Sequence, residues 1–193
     1  MRVAEFDREF VLRQAMLAFT QCGYAKTSMQ KLTQVTGLHP GSLYAAFSNK
    51  KGVFLAAIEQ YQTDKNQQFN AFFCNNAPVL PNLRAYLALV VTECLGGDSM
   101  KVCLLTKSIT EVEGQDSQIS KVLSDNLNAY EQAIAFQLNR AITQHEITPN
   151  RSAQQLARFF AMGLYGLRTY ALTNNNAKDI NQLADDLFSV ISN

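Results

Sequence analysis

The sequence predicts an all-α protein of about nine helices, and three observations lead there. Apolar residues recur at spacings of about 3.6 along nearly the whole chain. Glycine, proline and asparagine clusters interrupt this pattern at regular intervals, and no stretch alternates with the period of two that a strand requires.

Phe6, Phe10, Leu12, Ala15, Met16 and Phe19 define the first helix, over about 5–22, closed by Gly23. Thr27 to Gln30 read as a capping box that opens a short second helix running to Thr36. Gly37 turns the chain, and Pro40 suits the first turn of a third helix that reaches only to about Phe47. Ser48-Asn49 caps a fourth helix from Lys50 to the mid-seventies. Beyond the break at 75–81, helical patterns follow at about 81–95, 101–113, 117–146, 151–173 and 178–192. The division is a head of residues 1–48 and a body of 49–193, with the transition along the fourth helix.

Several function classes are disfavoured. No apolar run approaches the ~18 residues that span a bilayer, and MRVAEFDREF has no signal-peptide pattern. A cytoplasmic protein with no membrane partner is expected. Cys22, Cys74, Cys94 and Cys103 lie far apart, with no CxxC pair, so neither a metal site nor a disulfide framework fits. An enzymatic helical bundle would need clustered carboxylates or Glu-x-x-His pairs, and the chain has none. No cofactor is expected.

Charge is unevenly distributed. The chain is nearly neutral at +1, yet residues 1–65 carry eight Lys/Arg against five Asp/Glu, and the remainder nine against eleven. Between Glu9 and Glu59 there is no acidic residue, while Arg13, Lys26, Lys31, Lys50 and Lys51 fall in that window. A basic head on a slightly acidic body suits contact with a polyanion.

The short second and third helices match the helix-turn-helix plan, in which the later helix enters the DNA major groove. Leu43 and Phe47, four apart, would face inward. His39, Pro40, Gly41, Ser42, Tyr44 and Ala45 would face outward, the small residues permitting close approach and the hydroxyls reaching phosphate or bases. Thr27 and Ser28 stand at a helix N-terminus that favours phosphate. Lys50 and Lys51 oppose the dipole of the next helix, a cost that makes sense against a phosphate.

The stretch GYAKTSMQKLTQVTGLHPGSLYAAFSNKKGVFLAAIEQY, at 23–61, resembles the N-terminal signature of the TetR family of transcriptional regulators. The likeness runs through Gly23-Tyr24, Thr27-Ser28, Gly37, Gly41-Ser42-Leu43-Tyr44, Phe47 and Lys50, and covers roughly residues 8–60. Ala45-Ala46 and His39-Pro40 depart from commoner family residues and bear on base preference. The resemblance implies a repressor of near-palindromic double-stranded operator DNA, released by a small-molecule effector. It also implies a homodimer joined through the last two helices.

Two features of the body fit that implication. Ile180, Leu183, Ala184, Leu187, Phe188 and Ile191 form a stripe, and Phe159, Phe160, Met162, Gly163, Tyr165, Gly166 and Leu167 make the preceding helix apolar nearly all round, so that a second subunit is expected to cover part of it. Phe160, Leu164, Leu167, Leu183, Leu187 and Ile191 are the candidate dimer residues. Phe72, Phe73, Tyr86, Cys103, Tyr130, Met162 and Tyr165 are candidates for lining an effector pocket, as are Phe69 and Phe136; scarce interior charge suits an uncharged ligand. Cys103 falls one turn from Lys107, whose ammonium would activate the thiol. MKVCLLTKSITEVEG also resembles the cysteine-bearing helix of an electrophile-sensing branch of the family, with Val102 replacing its glycine. A thiol-sensing regulator acting through Cys103 is the alternative reading.

Overall fold

The computed structural model describes residues 6–73, 77–97, 103–148 and 151–192, and among these all regular structure is helical. The elements are α1 (Arg8–Cys22), α2 (Met29–Thr36), α3 (Pro40–Phe47), α4 (Lys50–Asn70), α5 (Val79–Leu95), α6 (Leu104–Val112), α7 (Ser117–Thr143), α8 (Ala153–Ala171) and α9 (Ala177–Ser192). Cys74, Val102 and the break at Pro149 lie outside the described residues.

Local chemistry sets the boundaries. The Asp7 carboxylate accepts from the Phe10 amide and starts α1. Ser28, rather than Thr27, is the N-cap of α2, accepting from Lys31 N at 3.1 Å; with lysine at the third helical position, the box expected with Gln30 does not form. Pro81 falls inside the first turn of α5, where its missing N–H has no helical partner to lose. Glu146 satisfies the free amides of Val79 and Leu80 at 2.6 and 2.8 Å. It reaches them because α7 stops at Thr143, three residues short of the expected end, and His145 turns back at φ 58°. Ser152 and Gln155 close a complete capping box on α8.

The chain forms two compact units. The first comprises residues 1–66 and 104–126, the second 67–103 and 127–193. In the first unit α1 packs against α2 and α6, and α2 against α3. Phe19, Phe54 and Tyr24 form its aromatic centre, with ring centroids 4.8 and 4.7 Å apart along the series Phe19–Phe54–Tyr24. Arg13 ties α1 to α4 through a forked pair with Asp64 at 2.9 and 2.8 Å. In the second unit α9 packs on α5 and α8, around a core that includes Leu83, Ile134, Leu138, Phe160, Ile180 and Ile191.

The Arg13 guanidinium holds the Asp64 carboxyl below the usual carboxylate range. A carboxyl lowered in the folded state stabilises above its unfolded value, near pH 4, and that contribution is lost as pH falls through the folded value. Asp64→Asn is therefore expected to lower the urea midpoint at pH 7, with the difference from the parent shrinking toward pH 3. Urea denaturation across that range checks it.

Candidate nucleic-acid interface

Helix α3 is eight residues long and is positioned by its neighbours. Gly37 ends α2 in the left-handed conformation at φ 70°, and the His39 imidazole, through Nδ1, accepts from Gly41 N at 3.3 Å as the N-cap of α3. Leu43 and Phe47 are buried, as their spacing predicts. Phe47 lies under the Arg8 guanidinium, 4.9 Å from the ring centroid. The opposite face presents His39, Pro40, Gly41, Tyr44, Ala45 and Ala46 to solvent, with Ser42 partly covered and Tyr44 48% exposed.

The expectations for Thr27, Lys50 and Lys51 are corrected. Thr27 is 1% exposed and donates its hydroxyl to the Gly23 carbonyl at 2.6 Å, so it holds the α1–α2 turn and offers no side chain to a phosphate. Ser28 remains exposed, but its hydroxyl caps α2. Lys50 does not stand clear beside α3: its ammonium donates to the Tyr24 and Ala25 carbonyls at 3.0 and 3.3 Å and lies 4.5 Å from the Tyr24 ring centroid. Lys51 pairs with Asp116 at 2.7 Å. The cost of two cations at the start of α4 is thus offset within the fold.

Three positions escaped the sequence reading. The Glu111 carboxylate accepts from Tyr24 N at 2.7 Å and Ala25 N at 3.4 Å, and Lys107 donates to the Thr20 and Gln21 carbonyls at 2.6 and 3.2 Å. Helix α6 thereby grips both the free carbonyls ending α1 and the amides of the following turn. Gly52 lets the first turn of α4 lie against the end of α3, since a methyl there would collide with the Phe47 carbonyl oxygen. The Glu111 and Lys107 pairings span 86 or 87 residues and leave no local trace, whereas Gly52, a glycine inside a helix start close to Phe47, was a signal available in the sequence.

In the second unit, Tyr86, Tyr130 and Tyr165 are brought together with Phe69 and Phe72. The Tyr86 and Tyr130 hydroxyls are 2.6 Å apart, and the Phe69 ring meets both edge-on. Phe72 packs edge-on against Tyr86, and the buried Phe73 packs against Phe69. Met162 is 60% exposed and Phe136 is exposed as well, so neither lines an interior pocket. Cys103 is buried and precedes the first turn of α6, and the Lys107 ammonium donates to the Thr20 and Gln21 carbonyls.

The candidate dimer residues divide differently from expectation. Phe160, Leu164, Leu167, Leu187 and Ile191 are buried within the chain's own core, because α8 and α9 turn these positions toward α5 and each other. Only Leu183 of that set is exposed, at 43%. The exposed large apolar residues of α8, its C-cap and α9 are instead Met162, Tyr170, Leu172, Leu183 and Val190. Between α8 and α9 lies a cleft of about 320 Å³ lined by Gly163, Gly166, Leu167, Tyr170, Leu183 and Leu187.

Two outcomes follow for the head. Gly52→Ala is expected to destabilise it by about 1–3 kcal/mol, as overpacking does, read as a lower thermal midpoint by circular dichroism. Glu111→Gln is expected to speed amide exchange at Tyr24 and Ala25 while leaving the amides of α8 unchanged, read by NMR.

Residues 11–57 match the family model described as "Bacterial regulatory proteins, tetR family". The chain is 27% identical to the HTH-type transcriptional repressor ComR of Escherichia coli K12, over 93% of this chain and 86% of that protein. A TetR-family transcriptional regulator from Agrobacterium tumefaciens has a TM-score of 0.85 at 18% identity, covering 96% of this chain and 97% of its own. The TetR-family regulator CifR, in a cysteine-mutant form complexed with 26-bp double-strand operator DNA, has a TM-score of 0.83 at 21% identity, covering 97% and 98%. The helix-turn-helix head thus matches the TetR-family model, and the all-α fold is that of solved TetR-family regulators.

Proposed function

We propose that the protein is a cytoplasmic, homodimeric repressor that reads a near-palindromic operator through α3 and is released by a small-molecule effector. The observation that carries the DNA-reading part is the polarity of α3: Leu43 and Phe47 are held inside, while a helix face of small and hydroxyl-bearing residues is left bare. Pro40, Gly41, Ala45 and Ala46 permit close approach to base edges, and Ser42 and Tyr44 supply hydroxyls for phosphate or base. Ser28 and His39 cap the N-termini of α2 and α3, which favour phosphate, and Lys50 acts by fixing the turn between α1 and α2. Residues 1–48 form the reading head and 49–193 the responsive body.

Repression by relatives supports the sign of regulation: ComR is a repressor. An eight-residue reading helix makes too few contacts for specific affinity alone, which calls for two half-sites and two subunits. The exposed side formed by Met162, Tyr170, Leu172, Leu183 and Val190 is the dimer surface in this reading, with the cleft around Gly163 and Gly166 receiving the partner's side chains.

Fluorescence anisotropy with DNA from upstream of the protein's own gene tests the head. Tyr44→Ala is expected to weaken binding at least about tenfold while changing stability by less than about 0.5 kcal/mol, as for an exposed site. Unchanged affinity would remove α3 as the reader. Leu183→Glu is expected to convert a dimer into a monomer by light scattering without unfolding it, since the side chain is exposed in the single chain.

A further inference from the structure

Deep in the second unit, the Tyr165 hydroxyl oxygen is buried and has no hydrogen-bond partner among the described residues. A buried hydroxyl in that state costs stability that folding must offset elsewhere. Its neighbours leave it so. The Tyr86 and Tyr130 hydroxyls share one hydrogen bond at 2.6 Å, one donating and the other accepting, and neither bonds Tyr165, although the Tyr130 and Tyr165 rings are only 6.5 Å apart between centroids.

Charge around it is neutralised group by group. Arg168, three positions along α8, is paired with Glu93 in a site where both side chains are largely buried. Gln68 donates to the same Glu93 carboxylate at 3.0 Å. Glu131 accepts from Gln154 at 2.5 Å and lies 3.5 Å from the Arg158 guanidinium. Burial pushes the Tyr86, Tyr130 and Tyr165 phenols above their usual range, so at neutral pH all three stay protonated. A protonated phenol with a spare O–H is a donor in search of an acceptor.

We infer that the Tyr165 hydroxyl is the recognition group for the effector, and that the effector is an uncharged, largely aromatic molecule with a carbonyl oxygen that accepts from it. The inference rests on the reading of the protein as an effector-responsive regulator and names the effector's chemical class. A carboxylate would bring a charge to a site whose guanidinium is already matched, and an ammonium would meet carboxylates already matched. The surroundings are aromatic, with the Phe69 ring edge-on to Tyr86 at 5.1 Å and to Tyr130 at 6.0 Å, and an aromatic ligand body matches them in chemistry.

Titration calorimetry on the full chain tests this with acetophenone and benzophenone as neutral carbonyl probes, benzoate and benzylammonium as charged counterparts, and ethylbenzene as a counterpart without an acceptor. The ketones are expected to bind the parent, and Tyr165→Phe, which keeps the ring, to weaken them about tenfold while leaving ethylbenzene unchanged. Equal ketone binding by parent and variant would overturn the inference, as would tighter binding of either charged probe. So would a variant that melts higher while neither protein binds a ketone, which would mark an orphan hydroxyl holding water only. Adding ketone to the DNA complex separates the two readings. Tyr165-dependent ketone binding that leaves DNA affinity unchanged would sustain the site and overturn effector release.

Discussion

An eight-residue helix has no stability of its own in water, because nucleation consumes more order than one turn of hydrogen bonds returns. Everything the head does therefore depends on the docking of α3. Two side chains, Leu43 and Phe47, hold its inner face, and the missing side chain of Gly52 lets α4 begin against its end. With the helix held from behind, its outer face is released from any structural duty. That is why Pro40, Gly41, Ala45 and Ala46 can be exposed and small without harming the fold.

The basic character of the head has a different meaning in three dimensions from its meaning along the chain. Lys50 and Lys51 stand beside α3 in sequence, yet both turn to partners 25 to 65 residues away, among them the Ala25 carbonyl and Asp116. Lys107 and Glu111 make the complementary grip from α6 on the end of α1 and the turn after it. The Lys50, Lys107 and Glu111 contacts fix the turn between α1 and α2. The exposed lysines of this region are Lys26 and Lys31, on the α1–α2 turn and the first turn of α2.

The helices themselves were legible because caps and periodicity are local: Ser28, Gly37 and Pro40 each act within four residues of where they stand. So was the inner face of α3. What periodicity cannot say is which apolar face the chain covers with its own helices. In α8 the residues Phe160, Leu164 and Leu167 went inward and Met162 outward, a choice made by α5 and α9. Thr27 was misplaced for a related reason, since a hydroxyl that can cap a helix can equally close a turn onto a carbonyl four residues back. The Glu93–Arg168 pair joins residues 75 apart, and the Tyr86–Tyr130 pair residues 44 apart, so neither polar contact leaves a local trace in the sequence.

The central claim is that a fully supported α3 reads DNA with the face its support leaves bare. Amide hydrogen exchange of the protein, free and bound to duplex DNA from upstream of its own gene, tests it most directly. The account predicts added protection concentrated in residues 28–45, with the amides of α5 and α8 unaffected by direct contact and the effect fading as salt rises. Protection that spares α3 and appears elsewhere on the chain would contradict it.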